Sequence, residues 1–298
     1  MIQNYFKIFS IIFLCFLISC STPEEVLETN LKTSTSTFID INSQKNIPIY
    51  YHIPENTNKN TPIVIVFHGG GRNAKDYRNA MIAKANEHQF IVIVPEFSIE
   101  NFPGGDGYNL GNVYDDGDNP SPNSLNPETE WAFSLVEPIF SFMKKELNNK
   151  SKKHHIIGHS AGAQFAHRLV MFTTNTSSDK IVVSAAGWYT VPNFTIDFPY
   201  GFQESILENS TLNTLFSKEV YIQVGELDNN PNDGGLRRNN FADAQGINRF
   251  QRAYHFYNEA KELAAENNIP FDWKIQTNIG LDHDYSAALE SASDILFK

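Results

Sequence analysis

The sequence of 298 residues contains little cysteine: Cys15 and Cys20 are the two that it has, and both lie near the N-terminus. The remainder of the chain has no thiol, which excludes a disulfide framework and a cysteine nucleophile there. Positive charge is also scarce, since 23 Lys and Arg residues accompany 34 Asp and Glu residues, for a formal net charge of −11. Nucleic acid is therefore not an expected partner, because binding to its phosphates requires a basic surface.

The chain also lacks an apolar run long enough to cross a membrane. Its first apolar stretch, residues 8–19, is shorter than the roughly 20 residues that a spanning helix needs. This stretch follows a positively charged start, residues 1–7, and the combination is typical of a signal peptide. The sequence Leu17-Ile18-Ser19-Cys20 resembles a bacterial lipobox, in which the cysteine becomes the lipidated first residue of the mature protein.

Residues 1–19 are accordingly predicted to be a signal peptide, and Cys20 is predicted to carry acyl chains that attach the protein to a membrane. An ordinary signal peptide with an incidental cysteine is the alternative. Ser21 replaces the Asp that retains lipoproteins at the inner membrane of enteric bacteria, so an outer-membrane location is expected. The polar residues 20–37 are predicted to be a flexible tether, and residues 38–298 are predicted to be the folded domain.

Apolar segments alternate with helix-forming segments along residues 38–298. This alternation predicts an α/β fold with about eight strands in a mostly parallel sheet, helices on both faces and a hairpin at its start. The predicted strands are residues 37–41, 47–53, 62–67, 90–94, 154–157, 180–186, 218–224 and 271–277. The predicted helices are residues 74–88, 126–148 with a kink at Pro138, 163–172, 247–267 and 285–297.

A serine flanked by glycines follows the fifth predicted strand, in the sequence Gly158-His159-Ser160-Ala161-Gly162. Gly-x-Ser-x-Gly between a strand and a helix is the pattern of a nucleophile elbow, a tight turn that holds the serine hydroxyl clear of the sheet. A Cβ at either glycine would crowd this turn, and the helix N-terminus would direct N–H groups towards an oxyanion. Ser160 is therefore the predicted nucleophile.

Ser160 requires a general base, and the chain offers nine histidines. His283 lies in the loop after the last predicted strand, at the carboxyl edge of the sheet where ligands of parallel sheets bind. His159 is adjacent to Ser160, but its side chain is expected to diverge from that of the nucleophile. Asp228, just after the seventh predicted strand, is the expected acid that orients the imidazole, and Glu226 is its competitor.

An oxyanion hole needs two N–H donors that converge on one point. Ala161, the residue after the nucleophile, is expected to supply one of them. The glycine-rich turn of residues 68–71, which follows the third predicted strand, is expected to supply the other. Gly70 is the first choice in this turn and Gly71 the second, because glycine lets the backbone approach a substrate oxygen closely.

Side chains in the loops at the same edge are candidates for contacts with substrate. Trp188 and Tyr189 follow the sixth predicted strand closely and are predicted to line the site. Arg237 lies in the loop after Asp228 and is predicted to clamp a carboxylate of the substrate. The alternative for the two aromatic side chains is packing within their own loop, and the alternative for Arg237 is a solvated loop.

Residues 38–298 resemble the α/β-hydrolase superfamily. The resemblance rests on the order of elements, the elbow, the glycine-rich turn, Asp228 and His283. The turn is similar to that of lipases and carboxylesterases, and the exported context is similar to the polyhydroxybutyrate depolymerase and feruloyl esterase group. The domain departs from that group because it has no cysteine. The resemblance implies a serine esterase that forms an acyl-enzyme and needs neither a metal nor an organic cofactor.

The substrate implied is a small-molecule or glycan-linked ester, and the oligomeric state is left open. Two other functions stay possible at this point. The same three residues cleave amides in amidases and peptidases, so amide hydrolysis is one alternative. The other is a lipoprotein without catalytic activity that binds a glycan or a protein partner in its cleft.

Overall fold

The computed structural model of the protein describes residues 33–174 and 176–298. The predicted signal peptide and Cys20 lie outside the described residues. Within them, eight strands form one sheet. These strands are β1 (Thr33–Ile39), β2 (Asn46–His52), β3 (Ile63–Phe67), β4 (Ile91–Pro95), β5 (His154–His159), β6 (Ser178–Ser184), β7 (Glu219–Gly225) and β8 (Lys274–Asn278).

The strands follow one another across the sheet in the order β1-β2-β4-β3-β5-β6-β7-β8. β2 pairs antiparallel with both β1 and β4, and the other neighbours are parallel. The predicted eight-stranded, mostly parallel sheet with an initial hairpin is therefore confirmed. β3 and β5 are neighbours at the centre, where Phe67 pairs with Gly158. The segments that follow these two strands consequently emerge side by side at the carboxyl edge.

Helices cover the sheet, and all side chains of the central strand β3 are consequently buried. The helices are α1 (Ala74–His88), α2 (Val136–Glu146), α3 (Ala161–Phe172), α4 (Leu212–Phe216), α5 (Asn240–Ala244), α6 (Arg249–Glu266) and α7 (Tyr285–Phe297). Ile65 and Phe67 of β3 belong to one apolar core together with side chains of α2, α3 and α6. Val64 and Val66 point to the opposite face, where they pack with α1 and α7. None of the helices in the described part of the chain combines the length and apolar character needed to cross a bilayer.

Two predicted boundaries differ from the structure. β1 begins at Thr33, before the start of the folded domain that was predicted at Phe38. Its first residues are Ser and Thr, so the strand does not begin with an apolar run. Pairing with β2 orders it. The predicted helix 126–148 consists of two short 3₁₀ turns followed by α2. Pro138 lies in the first turn of α2, where no N–H is needed, so it does not kink a longer helix.

The long loop between β4 and α2 is held against the site by Arg72, which lies just after β3. Its guanidinium donates hydrogen bonds to three backbone carbonyls of this loop, those of Phe97, Phe102 and Gly104. The same guanidinium lies 4.3 Å from the centre of the Tyr108 ring. Phe97, Phe102 and Tyr108 are buried, so these loop aromatics pack among themselves instead of facing a substrate.

Candidate active site

Ser160 lies in a strained turn between β5 and α3. Its φ is +56° and its ψ is −115°, a backbone conformation that residues other than glycine rarely adopt. The flanking glycines make this turn possible. A Cβ on Gly158 would lie 2.2 Å from the carbonyl oxygen of Gly162, and a Cβ on Gly162 would lie 2.0 Å from that of Phe67. The turn is fixed to the sheet because the Ser160 N–H donates to the Ser184 carbonyl at 2.9 Å.

The three residues predicted to act together are in contact. His283 Nε2 is 3.1 Å from Ser160 Oγ, and His283 Nδ1 is 2.6 Å from Asp228 Oδ2. Asp228 is almost fully buried, whereas a quarter of the His283 side chain is exposed. The imidazole of His283 is therefore accessible from solvent, while the carboxylate of Asp228 behind it is shielded from water.

The competing acid has a different place. Glu226 accepts a hydrogen bond from the Gly280 N–H at 3.0 Å, so it braces the loop that carries His283. The acids that flank His283 also bond locally. Asp282 accepts from the Asp284 N–H, and Asp284 caps α7 by accepting from the Ala287 N–H. Asp228 is thus the carboxylate that contacts the imidazole.

His159 contacts the site in a way that the sequence did not indicate. Its side chain was expected to diverge from Ser160, and it has no hydrogen bond to the serine, yet its ring lies 4.8 Å from the ring of His283. Its Nδ1 is 3.0 Å from the hydroxyl of Tyr77, on α1. Burial, reinforced by the charges of His283 and Arg249, holds the pKa of His159 well below its usual range. His159 is therefore a neutral, buried ring that packs against His283.

The glycine-rich turn after β3 lies against Ser160, since a Cβ on Gly69 would be 3.6 Å from the Ser160 Cβ. The Gly69 carbonyl accepts hydrogen bonds from the Arg72 N–H and from His68 Nδ1. In a trans peptide, the N–H of the next residue, Gly70, points the opposite way. Within residues 33–174 and 176–298, no hydrogen bond occupies the N–H groups of Gly70, Gly71 or Ala161, which leaves the expected oxyanion donors available.

His68 orients this turn, and the sequence indicated it only as the residue that precedes the glycines. Its Nε2 accepts a hydrogen bond from the Phe97 N–H at 3.1 Å, so its proton lies on Nδ1 and is donated to Gly69. Burial lowers the pKa of His68 to about 4. The ring is therefore neutral near pH 7 and keeps this tautomer.

A cleft of about 500 Å³ opens beside the first turns of α3. Gln164, whose N–H donates to the Ser160 carbonyl, lines it together with Trp188 and Arg237. Trp188 lies between two guanidinium groups, that of Arg168 at 4.1 Å and that of Arg237 at 4.7 Å from its ring centre. Trp188 lines the cleft but is almost fully buried between these two groups, so its contact with substrate stays a prediction.

The other two predicted substrate contacts fare differently. Tyr189 is fully buried, stacks on Phe256 with ring centres 4.5 Å apart, and is bonded through its backbone to Gln245. The predicted contact at Tyr189 is therefore wrong, because no substrate can reach its ring. Arg237 is partly exposed in the cleft, but its guanidinium forms two hydrogen bonds to Asp118, at 2.7 and 2.8 Å. A substrate carboxylate would have to compete with Asp118.

The protein has an α/β-hydrolase fold. The features that define it are the strand order, the elbow, and the contact of the serine, histidine and aspartate at the carboxyl edge. Neither a family model nor a curated protein matches the chain. Solved structures do match. Poly(aspartic acid) hydrolase-1 from Sphingomonas sp. KT-1 is 32% identical with a TM-score of 0.82, over 89% of this chain and 98% of that one. A poly(3-hydroxybutyrate) depolymerase from Bordetella parapertussis is 27% identical with a TM-score of 0.80, over 89% and 90% of the two chains.

An S-formylglutathione hydrolase from Staphylococcus aureus has a TM-score of 0.55 at 13% identity, over 89% of this chain and 98% of that one, and shows the fold alone. The chain belongs to the α/β-hydrolase superfamily, as its sequence predicted, and it is a hydrolase.

The buried neutral state of His68 predicts a pH dependence of stability. Its pKa is about 4 in the folded protein and 6.5 in an exposed histidine, so protonation favours unfolding. The contribution of neutral His68 to the free energy of unfolding is therefore fully present above about pH 6.5. It declines by roughly 3 kcal/mol as the pH falls to about 4. Urea unfolding of the wild type and of His68→Gln at several pH values measures this effect. We expect a shallower decline in the variant below pH 6.5 and parallel curves above pH 7; equal declines would contradict the assignment.

Proposed function

We propose that the protein hydrolyses carboxylic esters through an acyl-enzyme formed on Ser160. The observation that carries this proposal is the continuous pair of hydrogen bonds from Ser160 Oγ to His283 Nε2 and from His283 Nδ1 to Asp228 Oδ2. A serine hydroxyl is a weak nucleophile until a neighbouring base takes its proton. His283 has the position and the remaining exposure to do so.

In the proposed reaction, Ser160 Oγ attacks the ester carbonyl carbon while His283 Nε2 takes the hydroxyl proton. Asp228 holds the imidazole by Nδ1 and stabilises the imidazolium that forms. Collapse of the tetrahedral intermediate breaks the bond to the alcohol, which receives the proton from His283. Water, deprotonated by the same histidine, then attacks the acyl group and releases the acid and free Ser160.

The negative charge of the tetrahedral intermediate needs N–H donors that are already in place. We propose that the Gly70 and Ala161 N–H groups supply them, with Gly71 as the alternative in the turn. Ala161 is the first residue of α3, so the helix N-terminus adds its partial positive charge at the same point. His68 contributes indirectly, since it fixes the peptide that carries the Gly70 N–H.

Amide hydrolysis is the second candidate, and a specific observation favours it. The neighbour at 32% identity is named a hydrolase of poly(aspartic acid), a polyamide with carboxylate side chains, whereas the depolymerase neighbour is named for a polyester. Ester hydrolysis remains the first proposal because an alcohol leaves a tetrahedral intermediate more readily than an amine does. Both reactions would use the same three residues.

Replacement of the nucleophile tests the proposal. Ser160→Ala should lower kcat for p-nitrophenyl acetate by about 10⁴-fold or more and abolish labelling by a fluorophosphonate probe. Ser217→Ala is the matched control, because Ser217 is exposed and precedes β7, at the edge of the sheet opposite to Ser160. It should keep wild-type rate and labelling. A wild-type enzyme that is not labelled would support the alternative of a lipoprotein without catalytic activity. Faster cleavage of a matched amide than of the ester would favour the amidase.

The cleft beside Trp188 predicts a preference for acidic substrates, through the clamp that we propose at Arg237. Arg237→Ala should raise KM roughly tenfold for an ester with a free carboxylate. The KM for the neutral analogue of this ester should rise much less. Asp118→Asn should have the opposite effect on the acidic ester, because it frees the guanidinium that Asp118 now binds. An equal rise in KM for both esters in Arg237→Ala would contradict the proposed contact between Arg237 and a substrate carboxylate.

We also propose that the protein is exported and attached to the outer membrane through acyl chains on Cys20. The support is the sequence of residues 1–20, which resembles a signal peptide ending in a lipobox. Cys20→Ala should move the protein from the membrane fraction to the soluble fraction of the cells that produce it. Cys15→Ala, a matched change inside the apolar segment, should leave it with the membrane. Retention of Cys20→Ala in the membrane fraction would refute the anchor.

A further inference from the structure

We propose that Arg249 is a positioning residue, which orients the carboxylate of Asp228 towards His283 and holds the loop that lines the substrate cleft. This inference rests on the proposed function of Ser160, Asp228 and His283. Arg249 is the first residue of α6.

The guanidinium of Arg249 spans two carboxylates. Its Nη1 lies 3.2 Å from Asp228 Oδ1, and its Nη2 lies 2.9 Å from Asp233 Oδ1. Because Asp228 Oδ2 contacts His283, the two oxygens of this carboxylate have different partners. Rotation of the carboxylate would break both contacts at once. The fork of Arg249 therefore fixes which oxygen faces the imidazole.

A second contact from the same turn of α6 supports this arrangement. The Phe250 N–H donates to the backbone carbonyl of Asp228 at 3.0 Å. The backbone and the side chain of Asp228 are thus both held by the start of α6.

Stability alone does not account for a buried arginine here. Arg249 and Asp228 are each almost completely buried, and Arg249 Nε has no hydrogen-bond partner in the described part of the chain. Burying two charges and an unsatisfied N–H costs free energy that well-packed apolar side chains would avoid. The cost is explained if an ionised, fixed Asp228 is needed behind the general base.

The other end of the guanidinium reaches the cleft. Asp233 accepts a hydrogen bond from the Gly235 N–H at 2.9 Å, and a Cβ on Gly235 would lie 3.3 Å from Arg249 Nη2. Gly235 and Arg237 line the cleft beside Trp188. One cation therefore links the acid that serves the base to the loop that shapes the substrate site.

The charge of Arg249 also bears on the pH dependence of the reaction. The groups that face His283 are Asp228, which Arg249 contacts, the neutral His159, the nearby carboxylate of Asp233, and the flanking residues Asp282 and Asp284. Removing the cation would leave the surrounding carboxylates less compensated, which favours the imidazolium. The acid limb of the kcat/KM profile should then move to higher pH.

The test compares Arg249→Met with the wild type on p-nitrophenyl acetate, per site labelled by the fluorophosphonate probe. We expect kcat to fall roughly ten- to a hundredfold, KM for this small ester to change little, and the acid limb to move to higher pH. In the Asp228→Asn background, Arg249→Met should cause almost no further loss of kcat, because it acts through Asp228.

Arg78→Met is the matched control for loss of a buried arginine. Arg78 donates to the Ser34 and Tyr51 carbonyls, at the opposite side of the sheet order from β7. This variant should lose stability but keep its kcat per labelled site and its acid limb. If Arg249→Met does not fold, Arg249→Lys replaces it: one ammonium cannot span both carboxylates, so kcat should fall while the acid limb stays.

Three results overturn the inference: wild-type kcat and acid limb in Arg249→Met, additive losses in the double variant, or wild-type kcat in Arg249→Lys where that variant is used. Failure of the proposed function is distinguishable, because Ser160→Ala would then be as active as the wild type. An inactive Ser160→Ala together with a fully active Arg249→Met would reject the role of Arg249 alone.

Discussion

The rest of the site depends on one close backbone contact, where the first turn of α3 lies against the end of β3. A Cβ at Gly162 would be 2.0 Å from the Phe67 carbonyl oxygen, so this position requires glycine. The contact lets α3 begin directly after β5, which forces Ser160 into its positive φ and brings the glycine-rich turn beside it. Ser160, the helix N-terminus and the proposed oxyanion donors are thus fixed relative to one another by backbone packing, and His283 and Asp228 are added from later loops.

Burial determines the charge of the groups that surround Ser160. His68 and His159 lie in the interior, where desolvation lowers the pKa of each, so both act as neutral hydrogen-bonding rings near pH 7. Asp228 is equally buried but lies against the guanidinium of Arg249, which compensates an ionised carboxylate. The carboxylate of Asp228 consequently lies behind the imidazole, on the side away from Ser160. An oxyanion forming at the N–H groups of the glycine-rich turn would meet donors instead of a competing carboxylate.

The apolar pattern of the strands was sufficient to predict the sheet and the contact among Ser160, Asp228 and His283, because all three follow strands at the carboxyl edge. Contacts made inside irregular segments cannot be predicted in this way, because such segments have no regular spacing of apolar residues. Tyr189 is adjacent to Trp188 in the sequence, yet its ring turns into the core against Phe256. The contact of His159 with His283 was missed for a related reason. It arises where the loop after β8 folds over the end of β5, and no local pattern encodes that approach.

The loops that shape the cleft are held by arginines and not by apolar packing alone. An irregular segment leaves backbone carbonyls without the partners that a helix or sheet would give them, and a guanidinium can donate to several of them at once. Arg72 binds three carbonyls of the loop after β4, and Arg252 binds those of Gly187, Arg237 and Gly246. Ser160, Asp228 and His283 lie at the carboxyl edge of the sheet, whereas the cleft is formed by irregular segments that these guanidinium groups help to hold. Substitution of such an arginine would alter the shape of the cleft, while the elbow, set by glycines, would remain unchanged. Under the proposed function, the choice of substrate can therefore change without a change in the reaction.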